Sequence, residues 1–190
     1  MGWFSPVKGS YPSLAQVDKT LPVAGDNVAK IQRGTIVALA KDDSGIYNQG
    51  VFKIANATDE ILYVSLQDYS DPTAGYAGTA FVPEGGASVP KGGVPAITGI
   101  DLGQDGEYET SVFDTTKSYA VGDKLYVADG VLTTVEGSKV VGFVTSPYDP
   151  SSPGDSQRWV NNAVAAGGPD PRLAKRTGAR VAVIRFKTAV

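Results

Sequence analysis

The chain has neither cysteine nor histidine. Without cysteine no disulfide can restrain it, so the fold rests on packing, hydrogen bonds or association with a partner. Both absences remove the usual ligands of zinc, copper and haem, and no metal or cofactor is expected. They also exclude the Ser–His and Cys–His nucleophile systems. No run of about 18 apolar residues occurs, so no membrane-spanning helix and no membrane partner is expected. Met1-Gly2-Trp3-Phe4-Ser5-Pro6 shows neither the charged region nor the apolar stretch of a signal peptide. It matches a myristoylation signal only in part, because position 6 is proline rather than Ser or Thr.

What is present is glycine and proline: 23 and 12 of them in 190 residues, without a fixed period. Such spacing suits short strands joined by frequent turns and rules out a collagen-like repeat. Charge is unevenly placed. Residues 1–34 carry four basic residues against two acidic ones, residues 35–170 carry seven against eighteen, and residues 171–190 carry six against none. An acidic body therefore has basic ends. The body repels nucleic acid, so no nucleic-acid partner is expected. The ends either complement the body's own field or hold an acidic partner.

Residues 1–27 read as an extended N-terminal arm. Pro6, Pro12 and Pro22 hold their neighbours extended, yet Trp3, Phe4, Tyr11, Leu14, Val17, Leu21 and Val23 make the arm apolar. An apolar arm needs a surface to lie on, either its own domain or a neighbouring subunit. Residues 28–190 read as a single β domain with irregular Pro/Gly-rich insertions at about 67–106 and 146–178. Strand-like runs cover Thr35–Ala40, Val51–Ala55, Ile61–Leu66, Glu107–Phe113 and Ala179–Lys187, with shorter pieces at Thr79–Val82 and Ala96–Leu102. Tyr119–Thr145 reads as a three-stranded meander, because Asp129-Gly130 between two β-branched runs signals a type I′ hairpin. Asp155 or Ser156 is expected to cap one short helix bearing Trp159, Val160, Ala163 and Val164 on one face. Gaps are too short for repeated crossover helices. Eight to ten short strands are expected, in an all-β fold: a compact β-barrel-like or sandwich domain.

No catalytic pattern survives inspection. Asp101-x-Gly103-x-Asp105-Gly106 begins like a calcium loop, but position 3 is glycine and position 12 is Val112 rather than the bidentate glutamate. Glu107 and Glu109 share a strand face, whereas glycosidase carboxylates usually come from different elements lining a cleft. Asp42-Asp43-Ser44-Gly45 is a turn signal. Gly85-Gly86 and Gly92-Gly93 lack the Gly-Lys-Ser/Thr ending of a phosphate loop. No enzyme activity is expected.

The order of features carries a resemblance. Arg33-Gly34-Thr35-Ile36-Val37-Ala38-Leu39 follows the arm; then come Val121-Gly122-Asp123-Lys124-Leu125-Tyr126-Val127, Gly130-Val131-Leu132-Thr133-Thr134, Val140-Val141-Gly142-Phe143-Val144 and a closing apolar strand. This resembles the capsid decoration (cement) and related head structural proteins of tailed bacteriophages, chiefly over residues 114–145 and the last strand. The resemblance implies a β-barrel-like domain on the outside of an icosahedral shell, often a trimer, with no enzymatic activity. The expected partners are then the major capsid protein and further copies of the chain. The expected location is the virion surface, after synthesis in the host cytoplasm. Candidate partner-binding residues are Trp3, Phe4, Tyr11 and Leu14 in the arm, and Arg172, Lys175 and Arg176 in the basic C-terminal region. On this view removing residues 1–27 abolishes shell binding and leaves a folded domain. The alternative is a phage or cell-surface binding module for carbohydrate or another protein, using the two insertions with Tyr69, Tyr76 and Trp159.

Overall fold

A computed structural model describes residues 4–7, 19–23, 31–41, 50–66, 96–164 and 176–189. Thirteen strands and no helix occur among the described residues: β1 (Phe4–Pro6), β2 (Lys19–Pro22), β3 (Ile36–Ala40), β4 (Val51–Ile54), β5 (Leu62–Ser65), β6 (Ala96–Asp101), β7 (Glu107–Thr110), β8 (Lys124–Ala128), β9 (Val131–Thr133), β10 (Gly142–Ser146), β11 (Gln157–Val164), β12 (Arg176–Ala182) and β13 (Ile184–Thr188). They form a six-stranded sheet in the order β1-β7-β13-β10-β8-β9, a five-stranded sheet in the order β2-β6-β5-β3-β4, and a two-stranded sheet of β11 and β12. The fold is all-β and sandwich-like, with antiparallel sheets packed together and no closed barrel.

Alternation along the strands explains the layers. Ile36 and Ala38 of β3, with Leu62 and Val64 of β5, point into a core shared with Tyr108, Leu125, Val144, Ile184 and Phe186 of the six-stranded sheet. Val37 and Tyr63 point the other way, into a second core with Phe52, Ile54 and Ile97. The five-stranded sheet is thus apolar on both faces, which is why β5 reads as an unbroken apolar run.

The N-terminal segment supplies edge strands. Phe4–Pro6 pairs with β7, and Lys19–Pro22 pairs with β6. Phe4 is 1% exposed and sits in the inter-sheet core, while Leu21 and Val23 enter the second core. The choice between own domain and neighbouring subunit is therefore settled for these three side chains. Phe4 is not a partner-facing residue, because its ring already stacks on Tyr108 at 5.3 Å. A chain lacking residues 1–27 loses part of both cores and is not the intact domain expected from sequence.

The Asp129-Gly130 turn has φ of 50° and 75°, the two positive values a type I′ turn needs. Gly130 is buried against the other sheet, while Asp129 beside it is exposed. Gly130 donates its amide to the Ala55 carbonyl at 2.7 Å and accepts from the Ile36 amide at 2.9 Å. A Cβ there would press on Thr35 and Ile54. The expected meander is rearranged, however: β10 pairs with β8, not with β9. The free side of β9 is taken instead by the chain after β7, where Leu132 exchanges hydrogen bonds with Val112 and Asp114.

Beside this hairpin Phe113, Tyr119 and Tyr148 form an edge-to-face cluster, with Phe113 4.8 Å from Tyr148 and 5.5 Å from Tyr119. The Tyr119 hydroxyl donates to the Asp114 carbonyl at 2.9 Å. Burial pushes its pKa well above the ordinary 10.0, and the nearby Asp114 carboxylate adds to the shift. The unfolded chain sheds that proton from about pH 10, whereas the folded chain keeps it. This contribution to stability is whole below pH 10 and is lost as pH rises beyond it. The urea midpoint should fall between about pH 9 and pH 11, and fall less steeply in Tyr119→Phe. Equal slopes in the two proteins would show that Tyr119 does not carry the effect.

Candidate functional site: an arginine-lined pocket at the base of a ribbon

In the C-terminal quarter two antiparallel pairings, β10 with β13 and β11 with β12, follow one another as a ribbon. Gly142 faces Thr188, Val144 faces Phe186 and Ser146 faces Arg185 within the six-stranded sheet. Further out, Gln157 faces Ala182, Trp159 faces Arg180 and Val164 faces Arg176. The helix expected from Asp155 onward is strand β11. Asn161-Asn162 is poor helix sequence, and β12 offers Trp159 and Val160 a ladder of hydrogen bonds. The closing strand is likewise split, at Val183, into β12 and β13.

Between Ser146 and Gln157 one side of the ribbon makes an excursion, while the other side passes only Val183 and Ile184. Tyr119 and Tyr148 exchange backbone hydrogen bonds at 2.8 and 3.0 Å and hold the start of this excursion. Its end is fixed by the Val183 amide donating to the Ser156 carbonyl at 2.9 Å. The mismatch opens a cavity of about 630 Å³ where the ribbon leaves the sheet. Its charged lining is Glu109, Asp155, Arg158, Arg180 and Arg185, with Ser146, Ser156 and Gln157 beside them.

Glu109 organises the pocket. Tyr108 on one face of β7 is buried in the core, and Glu109 on the other is only 5% exposed. Glu109 Oε2 accepts from Arg158 Nη2 at 2.5 Å and from Arg185 Nε at 2.9 Å. Arg158 Nη1 also donates to the carbonyls of Asp155 and Gln157, each at 2.8 Å. One carboxylate, nearly dry, thus joins the six-stranded sheet to the first residues of the ribbon. Its neighbour Glu107 has a different role, accepting from Thr145 Oγ1 at 2.6 Å. The two glutamates of β7 therefore do not act as a pair. Asp101, the first residue of the calcium-like stretch, caps its own turn by accepting from the Gly103 amide at 2.7 Å.

Sequence reasoning missed this cluster. Glu109 lies 49 and 76 positions from its two arginines, and nothing local marks the three as neighbours. Of the sequence-derived candidates, Phe4 is in the core and Arg176 opens β12 opposite Val164. Trp3, Tyr11, Leu14, Arg172 and Lys175 lie outside the described residues, as do Tyr69, Tyr76 and the Thr79–Val82 strand piece. β6 lies at the strand piece expected from Ala96 to Leu102, whereas the stretch expected to be irregular at 146–178 contains β11 and part of β12. Compared with protein families, curated proteins and solved structures, the chain gives no significant match. The pocket can hold an anion by charge-assisted hydrogen bonds.

Proposed function

We propose that this chain is a virion structural protein that binds the outer surface of an icosahedral phage capsid and stabilises the shell. The observation that carries the reading is the β11–β12 ribbon. It pairs with no other strand among the described residues. Beyond the base that Glu109 ties to the six-stranded sheet, a two-stranded ribbon is marginal in water and gains stability by lying on another surface. The sequence from Gln157 to Ala182 holds five cations against the single acid Asp170, in a chain whose central part is acidic. An acidic patch on the major capsid protein is the surface that complements it. Of the segments behind the phage resemblance, Val121-Gly122-Asp123 forms the turn into β8 and Asp129-Gly130 the turn from β8 to β9, and both serve as scaffold.

Cementing is mass action. Binding to the assembled shell alone stabilises that state in proportion to RT ln(1 + [L]/Kd), repeated over every site. Weak contacts suffice when a homotrimer engages several at once, and a trimer is part of this reading. Arg172, Lys175 and Arg176 are its candidate contacts. Reversing all three to glutamate should weaken co-sedimentation with expanded capsids by about tenfold or more. Wild-type binding should weaken as salt rises. A reversed variant that pellets with capsids as well as wild type, at every salt concentration, would sink the proposal.

A further inference from the structure

We infer that the pocket beside Glu109 receives a carboxylate side chain, an aspartate or glutamate, from a protein partner. This goes beyond the shell reading and does not depend on it. Among the described residues the Arg185 guanidinium bonds only to Glu109, and only through Nε. Its two terminal amino groups remain unspent, on a side chain 42% exposed and lining the cavity. Glu109 holds one edge of the guanidinium, so the fork on the other edge is fixed in direction before any ligand arrives. Such a fork matches the two oxygens of a carboxylate.

Charge balance selects among anions. Three arginines stand against Glu109 and Asp155, leaving one positive charge in the lining. A monoanionic carboxylate cancels it, whereas a phosphate carrying about −1.5 to −2 at neutral pH overshoots. Ser146, Ser156 and Gln157 offer the polar groups that suit a peptide backbone beside its acidic side chain. The cavity volume falls inside the range of about 300–1,000 Å³ usual for ligand sites.

The test uses the full chain and small probes, without capsids. N-acetyl-glycyl-aspartyl-glycine amide is titrated while the Arg185 side-chain N–H and the Ser156 amide are followed by NMR. A saturable shift of both signals is expected. The asparagine twin of the peptide should bind at least about tenfold more weakly, having lost the charged partner of the fork. Arg185→Lys, which keeps the charge and removes the fork, should weaken the aspartyl peptide by about tenfold. Equal binding of the two peptides overturns the inference, as does tighter binding of glucuronate or inorganic phosphate, or no saturable shift. The comparison of the two peptides on the wild-type chain decides the matter even if Arg185→Lys folds poorly.

Discussion

Replacing Phe4 with alanine should destabilise the protein by about 3–5 kcal/mol, the usual cost of emptying a large aromatic site. The size of the effect follows from its neighbours. Phe4 is 1% exposed, stacks on Tyr108 at an interplanar angle of 24°, and through Tyr108 reaches Phe186, 5.9 Å further on. These three rings come from adjacent strands, β1, β7 and β13, and together floor one end of the inter-sheet core. Because β1 is only three residues long, its few ladder hydrogen bonds hold poorly without the anchor. Losing Phe4 should therefore release the strand and expose the edge of β7. A typical domain is stable by about 5–15 kcal/mol in total, so the variant sits close to unfolding. Urea unfolding followed by tyrosine and tryptophan fluorescence measures the change. A loss below about 1 kcal/mol would show that the N-terminal strand is ornamental to this core.

Gly142→Ala is expected to cost about 3 kcal/mol, at the upper end of overpacking penalties. A Cβ on residue 142 would collide with the Lys187 carbonyl oxygen and press against the Phe186 ring. Both obstacles belong to β13, the strand that β10 must approach to form the ladder at Gly142 and Thr188. A flexible side chain could swing aside; the carbonyl is backbone and cannot. Gly142 also faces Leu125, so β10 is the strand joining β1, β7 and β13 to β8 and β9. Forcing β10 away from β13 divides the six-stranded sheet in two. The neighbouring substitution Phe143→Ala is the control. That side chain is 39% exposed, and its loss should cost under about 1 kcal/mol. If Gly142→Ala unfolds at the same urea concentration as the control, the close approach of β10 to β13 is not what the glycine is for.

Local signals in the sequence located most strands but not their neighbours. β3, β4, β5 and β7 fall where the apolar runs and alternation place them, and the Asp129-Gly130 turn has the backbone angles its residues favour. Pairing depends on what comes from afar. β9 is three residues long, and its open side is filled by Val112–Asp114 before Gly142 is reached, so β10 pairs with β8. The stretch from Gln157 is a strand because Arg176–Ala182 lies beside it, a tertiary decision that overrides a weak capping signal. Phe4 looked available to a partner because hydrophobicity alone cannot say whose core a residue joins. The pocket was illegible for a similar reason. Glu109 reads as one acid in an acidic run, and only the fold brings Arg158 and Arg185 to it.

The hydrogen bonding of Gly130 at the hairpin tip has a chemical consequence. Aspartate followed by glycine is prone to slow rearrangement into isoaspartate, which begins when the glycine's backbone nitrogen attacks the aspartate side chain. Here that nitrogen belongs to Gly130, and its hydrogen is committed to the Ala55 carbonyl at 2.7 Å. The turn angles at Asp129 and Gly130 are fixed by the sheet it touches. A bond prone to ageing in a free peptide is thus tied down by the fold, and the protein's chemical lifetime at this site is set by how rarely the two sheets part.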